Sequence, residues 1–183
     1  MSTERQPQAR SIDEIRDWFE SVAEPLLAHR AIILAASRGG GLLAGSRFYA
    51  MSSDEVDQFF SSQRRELEDL AVFAIMASAE AAVRADYVNR IERGKSDPLS
   101  KAYAVLRKTL GPNERPSLDE HILQTMKDAC VVPNHFISNF RDALRLRHWL
   151  AHGRYWVLTL GRNSYAPDDI YRTVHELLAA ISA

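Results

Sequence analysis

From Asp54 to Arg93 the chain runs without a single glycine or proline, and its large apolar residues return at the helical period throughout: Val56, Phe59, Phe60, Leu67, Leu70, Phe73, Ile75, Met76 and Val83. Ser52 followed three residues later by Glu55 is a capping box that opens this helix, and Gly94 closes it. The same period governs almost everything else. Ser11 and Glu14 form a second capping box ahead of Ile12, Ile15, Phe19, Val22, Leu26 and Ile33, which predicts a first helix over 12–36 with a kink at Pro25. The glycines at 39–41 stop it, leaving 37–52 as a glycine-rich loop. Shorter helices are predicted over 98–110, closed by Gly111-Pro112, over 118–130 after Ser117, over 134–152 before Gly153, and over 168–182 after Pro167-Asp168-Asp169. Only YWVLTLGRNSYA invites a different reading, as a short strand or extended segment near 155–160. The fold class is therefore all-α, a bundle of four to six helices with a long second helix, in one domain over 1–183 whose polar residues 1–10 are expected to be disordered.

Composition narrows the function classes. With 183 residues, 46% of them hydrophobic, one core can be buried. A formal charge of −1 supplies no general field for nucleic acid, so any such binding must come from a local patch. The lone Cys130 makes no intramolecular disulfide and reads as a buried thiol in a reducing compartment. The N-terminus carries no secretory pattern, and AIILAA at 31–36 is far too short for a bilayer. A cytoplasmic protein without a membrane partner is the expectation.

Two motifs fail on their chemistry. GGLLAG at 40–45 has the glycine spacing of a phosphate-binding loop, but Ser46-Arg47 stands where that loop needs Lys and then Ser or Thr. His148 and His152, four apart on one helical face, could share a zinc ion, yet no third ligand accompanies them. No metal and no cofactor are expected.

The stretch RLRHWLAHGRYW, 145–156, concentrates three arginines, two histidines and two tryptophans at the end of a helix. Several Arg and His pairs are separated by four to six residues, among them Arg115 with His121, Arg141 with His148 and Arg145 with His152 as well as Arg147 with His152. Only Arg147 with His152 combines a long preceding amphipathic helix with an immediate glycine stop. Five residues of ideal helix set two side chains roughly 140° and about 7.5 Å apart, so convergence needs the break at Gly153 and the long arginine stem. In this wording the stretch resembles the signature of the HEPN superfamily: Arg147, then a polar residue, here His148, then His152 at the end of a bundle helix.

That resemblance implies a HEPN-like helical fold and a metal-independent endoribonuclease. His152 would act as general base on a ribose 2′-hydroxyl and Arg147 would stabilise the phosphate, leaving a 2′,3′-cyclic phosphate. It also implies a homodimer lining one cleft with both motifs, and a place in toxin–antitoxin or defence systems with an inhibitory antitoxin protein as partner. The chemistry suits the residue types, since imidazole titrates near neutrality and guanidinium is a permanent forked cation.

The surrounding charge fits an RNA substrate. Between Asn139 and Arg162 stand Arg141, Arg145, Arg147, Arg154 and Arg162 against the single acid Asp142. Complementing a helix dipole is the other account of such cations. Tyr155, Trp149 and Trp156 could stack bases, with core or interface packing the plainer role for Trp149. Glu80 interrupts an alanine-rich run and needs a cation, either Arg84 four residues on or, across the bundle, Arg147 or His152, which it would then orient. The alternative to the enzyme is a non-catalytic dimeric helical module that binds nucleotide, RNA or a protein partner.

Overall fold

A computed structural model describes residues 10–39, 44–94, 96–111, 114–154, 157–159 and 165–182. It is an all-α bundle. Helix α1, Ile12–Gly39, opens on the reciprocal Ser11 and Glu14 hydrogen bonds and continues through Pro25. Helix α2, Ser53–Arg93, opens on the Ser52 and Glu55 capping box and ends at Gly94, whose φ of 59° is the left-handed turn that glycine adopts without strain. At 41 residues, α2 is about 60 Å long.

No single core can cover a helix of that length, and two do so. Val72, Ile75, Met76, Ala79, Val83 and Tyr87 of α2 enter the main core, while Val56 and Phe60 join Ile33 and Phe48 in a separate cluster. The α1–α2 hairpin therefore extends as an arm beyond the bundle, with Phe48 of the connecting segment plugging it. That segment is less of a loop than its glycines suggest, because α1 reaches Gly39. Residues 40–43 of the predicted glycine-rich loop lie outside the described residues.

Helix α3, Pro98–Leu110, is capped by Asp97 and carries proline at its first turn. The piece predicted as one helix over 118–130 is a wide π-type turn, Leu118–Leu123, leading into α4, Gln124–Asp128. Ile122 donates to the Ser117 carbonyl five residues back, which opens the turn. Cys130 corrects an expectation. It follows the end of α4 at φ 53° and is exposed, because the chain turns outward there instead of continuing the buried helical face.

Helix α5, Asn134–Ala151, buries Ile137, Phe140, Ala143 and Leu146. Helix α6, Pro167–Ser182, buries Ile170, Val174, Leu177 and Ile181. Among the described residues there is no strand: Val157, Leu158 and Thr159 are neither helical nor paired, and residues 155, 156 and 160 lie outside them. An alternating segment has no ladder to join when no other strand exists. Residues 1–9 of the predicted disordered start also lie outside, but Arg10 is tied down, its carbonyl accepting from Ser78 Oγ at 2.7 Å.

One buried cation joins three helices. Arg90 of α2 reaches Asp86 at 2.7 Å, Asp97 at the start of α3 at 2.8 Å, and the Ile181 carbonyl at the end of α6. Among the described residues no helix is long and apolar enough to cross a membrane.

Candidate functional site

Helix α5 runs antiparallel to α2, so rising numbers on one meet falling numbers on the other. Arg147 lies over Phe73 and beside Glu80, and Arg154 reaches Glu66 and Asp69. This register follows from the apolar stripe of α5 seating on α2, and it carries Arg147 to Phe73 and Glu80. The Arg147 guanidinium carbon is 5.3 Å from the Phe73 ring centroid, within cation–π range. Its Nη2 is 3.8 Å from Glu80 Oε2, and its Nε is buried with no hydrogen-bond partner among the described residues. At that distance the carboxylate orients the guanidinium without occupying its N–H groups. Arg84, the helical neighbour that spacing offers to Glu80, instead donates to the Pro116 carbonyl at 3.2 Å.

Arg147 opens into a hollow of about 490 Å³ between α2, α5 and the segment entering the π-type turn. Four arginines line it, Arg84, Arg141, Arg145 and Arg147, with the two carboxylates of Glu80 and Asp119 and the imidazole of His148. Arg141 is anchored by Asp119 at 2.5 Å and by Gln124 at 3.1 Å. Arg145 contacts Asp142 and is largely exposed. The hollow is thus cationic. A larger hollow of about 600 Å³ lies on the α1 side of Phe73, lined by Ile15, Trp18, Leu70, Ala74 and Ala77. It is mainly apolar, and the Ser78 hydroxyl that borders it donates to the Arg10 carbonyl.

The two histidines divide. His148 lines the hollow, whereas His152 caps α5 at φ −99° and is exposed. Their rings are 4.2 Å apart and inclined at 56°. His152 therefore lies one helical turn beyond the hollow, in contact with the His148 imidazole that lines it beside Arg147. Gly153, at φ 80°, ends the helix there, as its position in the sequence anticipates.

Of the other residues expected to hold substrate, Arg141 and Arg145 reach the hollow and Arg154 does not. Arg154 binds Glu66 through two hydrogen bonds of 2.8 and 3.0 Å and Asp69 at 3.1 Å. Those acids precede Glu80 on α2 by three to four turns, about 16–21 Å along the axis. The Arg154 hydrogen bond, reinforced by its charge, lowers the Glu66 carboxyl below the usual range. Asp69 moves the other way: burial raises it, outweighing the attraction of Arg154, and the neighbouring Glu66 charge adds to the rise. Tyr155 and Trp156 lie outside the described residues. Trp149 packs against the main core.

Asp119 and Phe73 escaped sequence reasoning. Asp119 stands 22 residues before Arg141 and meets it only through tertiary packing. The stacking of Phe73 under Arg147 spans a still larger separation, and neither leaves a local signal. Among the described residues, no three His, Cys, Asp or Glu side chains gather where they could hold a metal ion. The chain matches no family model, no curated protein and no solved structure.

Proposed function

We propose that this protein is a metal-independent endoribonuclease of HEPN type, with the Arg147 hollow as the seat of the scissile phosphate. The observation that carries the reading is the state of Arg147: it lies over Phe73, lines a cationic hollow, and its Nη2 stands 3.8 Å from Glu80, outside hydrogen-bond distance of the one carboxylate beside it. In this reading His152 removes the ribose 2′-proton. The 2′-oxygen attacks phosphorus, the bond to the 5′-oxygen breaks, and that oxygen takes up a proton from solvent, giving 2′,3′-cyclic phosphate and 5′-hydroxyl ends. Arg147 compensates the charge gathering on the phosphoryl oxygens, and His148 bridges the base to the hollow. Arg141 and Arg145 attract the strand. A second copy of the chain, and an inhibitory protein where the activity is toxic, are the partners this reading adds.

The test is purified protein with end-labelled RNA in excess EDTA. Cleavage to cyclic-phosphate ends that persists under chelation and disappears in His152→Ala and Arg147→Ala, with helical circular dichroism unchanged, supports the proposal. Loss of cleavage on chelation overturns it. The exposure of His152 outside the hollow favours one other outcome, RNA bound but never cut, which would make the chain a binding module.

A further inference from the structure

A second hollow, of about 620 Å³, adjoins the first along α2. Its floor is Tyr87, Val88, Ile91 and Pro116, and its rim carries Arg107 and Arg115 against Glu92 and Glu114. The two hollows lie on one continuous face of the helix. Glu80 and Arg84 border the first, and Tyr87, Val88 and Ile91 the second, at positions four, seven, eight and eleven residues from Glu80. They share a wall, the segment 114–117, which two arginines pin by its backbone: Arg84 donates to the Pro116 carbonyl and Arg107 to the Glu114 carbonyl, each at 3.2 Å. Ser117 faces the first hollow and Pro116 the second.

Their chemistry differs in a way a nucleic-acid strand would use. Four guanidiniums against two carboxylates suit a phosphate in the first. The second balances its charges and offers an apolar floor, with Val88 46% exposed upon it. Carboxylates and guanidiniums at its rim can accept from and donate to the edge of a flat heterocycle laid on that floor. Glu80 and Ile91 are about 16 Å apart along the axis, farther than a single nucleotide reaches.

We infer that the second hollow is a nucleobase subsite, and that an RNA strand runs from the Arg147 hollow across the Pro116–Ser117 wall to place a base there. The inference rests on the ribonuclease reading for the identity of the strand. It explains why a charge-balanced depression with an apolar floor flanks a cationic one, and it makes a strand of several nucleotides the preferred ligand over a dinucleotide.

Binding is measured by fluorescence anisotropy in EDTA with a labelled decaribonucleotide made non-cleavable by 2′-deoxy substitution and with a labelled dinucleotide of the same kind. The comparison uses wild type, Val88→Glu/Arg115→Glu, whose two positions are exposed, and Arg147→Ala. The double variant is expected to bind the decamer about tenfold more weakly and the dinucleotide as wild type does, while Arg147→Ala weakens both. A double variant that binds the decamer like wild type, or that weakens both ligands equally, overturns the base subsite and leaves the ribonuclease reading standing. Wild type that binds neither ligand overturns that reading and the subsite with it.

Discussion

The carboxylate of Glu80 stops 3.8 Å short of the Arg147 guanidinium, near enough to fix its direction and too far to use up its hydrogen bonds. A tight bidentate pair would have satisfied Arg147 and left nothing for a ligand. In the ribonuclease we propose, Glu80 is therefore a positioning residue. Glu80→Ala should lower kcat for RNA cleavage by about ten- to a hundredfold with little change in KM, since a guanidinium displaced by an ångström stabilises the transition state poorly. Glu80→Gln, which keeps an oxygen facing Arg147, should recover part of that loss. Equal losses in the two variants, or a loss in KM alone, would remove Glu80 from this role.

Arg145 and Arg154 look alike in the sequence and should behave oppositely. On the proposed function, Arg145→Ala should leave the thermal midpoint nearly unchanged and weaken RNA binding, with the salt dependence of the binding constant reduced by about one unit in slope. Arg154→Ala should leave that binding as in wild type and lower the midpoint, because its fork on Glu66 and Asp69 ties the end of α5 to α2. Arg154 also holds a left-handed φ of 59°, which costs a non-glycine residue about 1 kcal/mol. Arg154→Gly should accordingly melt above Arg154→Ala, a comparison that differential scanning calorimetry decides.

Arg90 is 8% exposed and contacts α2, α3 and α6 together. Arg90→Met should destabilise the bundle by about 2–4 kcal/mol in urea unfolding, since it strands the carboxylates and the carbonyl that Arg90 serves. Substitution of the exposed Arg93, one turn from Arg90, supplies the control and should cost little.

The acid limb of stability should report Asp97. Hydrogen bonds from the Ser100 hydroxyl and backbone, with the charge of Arg90, hold its carboxyl below the usual aspartate range. A carboxyl lowered in the folded state contributes stability that is complete above its unfolded pKa, about 3.9, and is lost as the pH falls through the folded value. Asp97→Asn should thus lower stability at neutral pH and flatten its decline below about pH 4. An unchanged slope in acid denaturation would contradict the assignment.

Tyr103 is fully buried with its hydroxyl lacking a hydrogen-bond partner among the described residues, and burial drives its ionisation well above the ordinary tyrosine range. Its ring packs edge-on to Tyr87 with centroids 4.9 Å apart. Tyr103→Phe keeps that contact and removes the stranded hydroxyl. The variant should be more stable by about 1 kcal/mol, a rise in Tm of about 2–4 °C.

The ends of the long helix were legible in the chain because capping is local. Ser52 and Glu55 satisfy each other's backbone groups across three residues, and Gly94 needs only its own missing Cβ. The same holds for Ser11 with Glu14, for Pro98 behind Asp97, and for the stop at Gly153. The all-helical class follows from a periodicity that needs no knowledge of neighbours. Where a choice depended on neighbours, local rules did not decide it. Alternation over 155–160 left a short strand or an extended segment open; residues 157–159 are non-helical and unpaired, and a strand exists only by pairing. Cys130 looked apolar enough to bury, but the turn after α4 points it outward.

Glu80 shows the division most sharply. Helical spacing alone offers it Arg84, and cross-helix orientation of Arg147 or His152 stood only as the other option. Packing of α5 on α2 brings Arg147 within 3.8 Å of Glu80, while Arg84 donates to the Pro116 carbonyl. The residue types at 147, 148 and 152 were written in the chain. Which of them share a hollow, and that Arg154 lies too far along α2 to join them, depended on the register between two helices, a property of surfaces that meet only after folding.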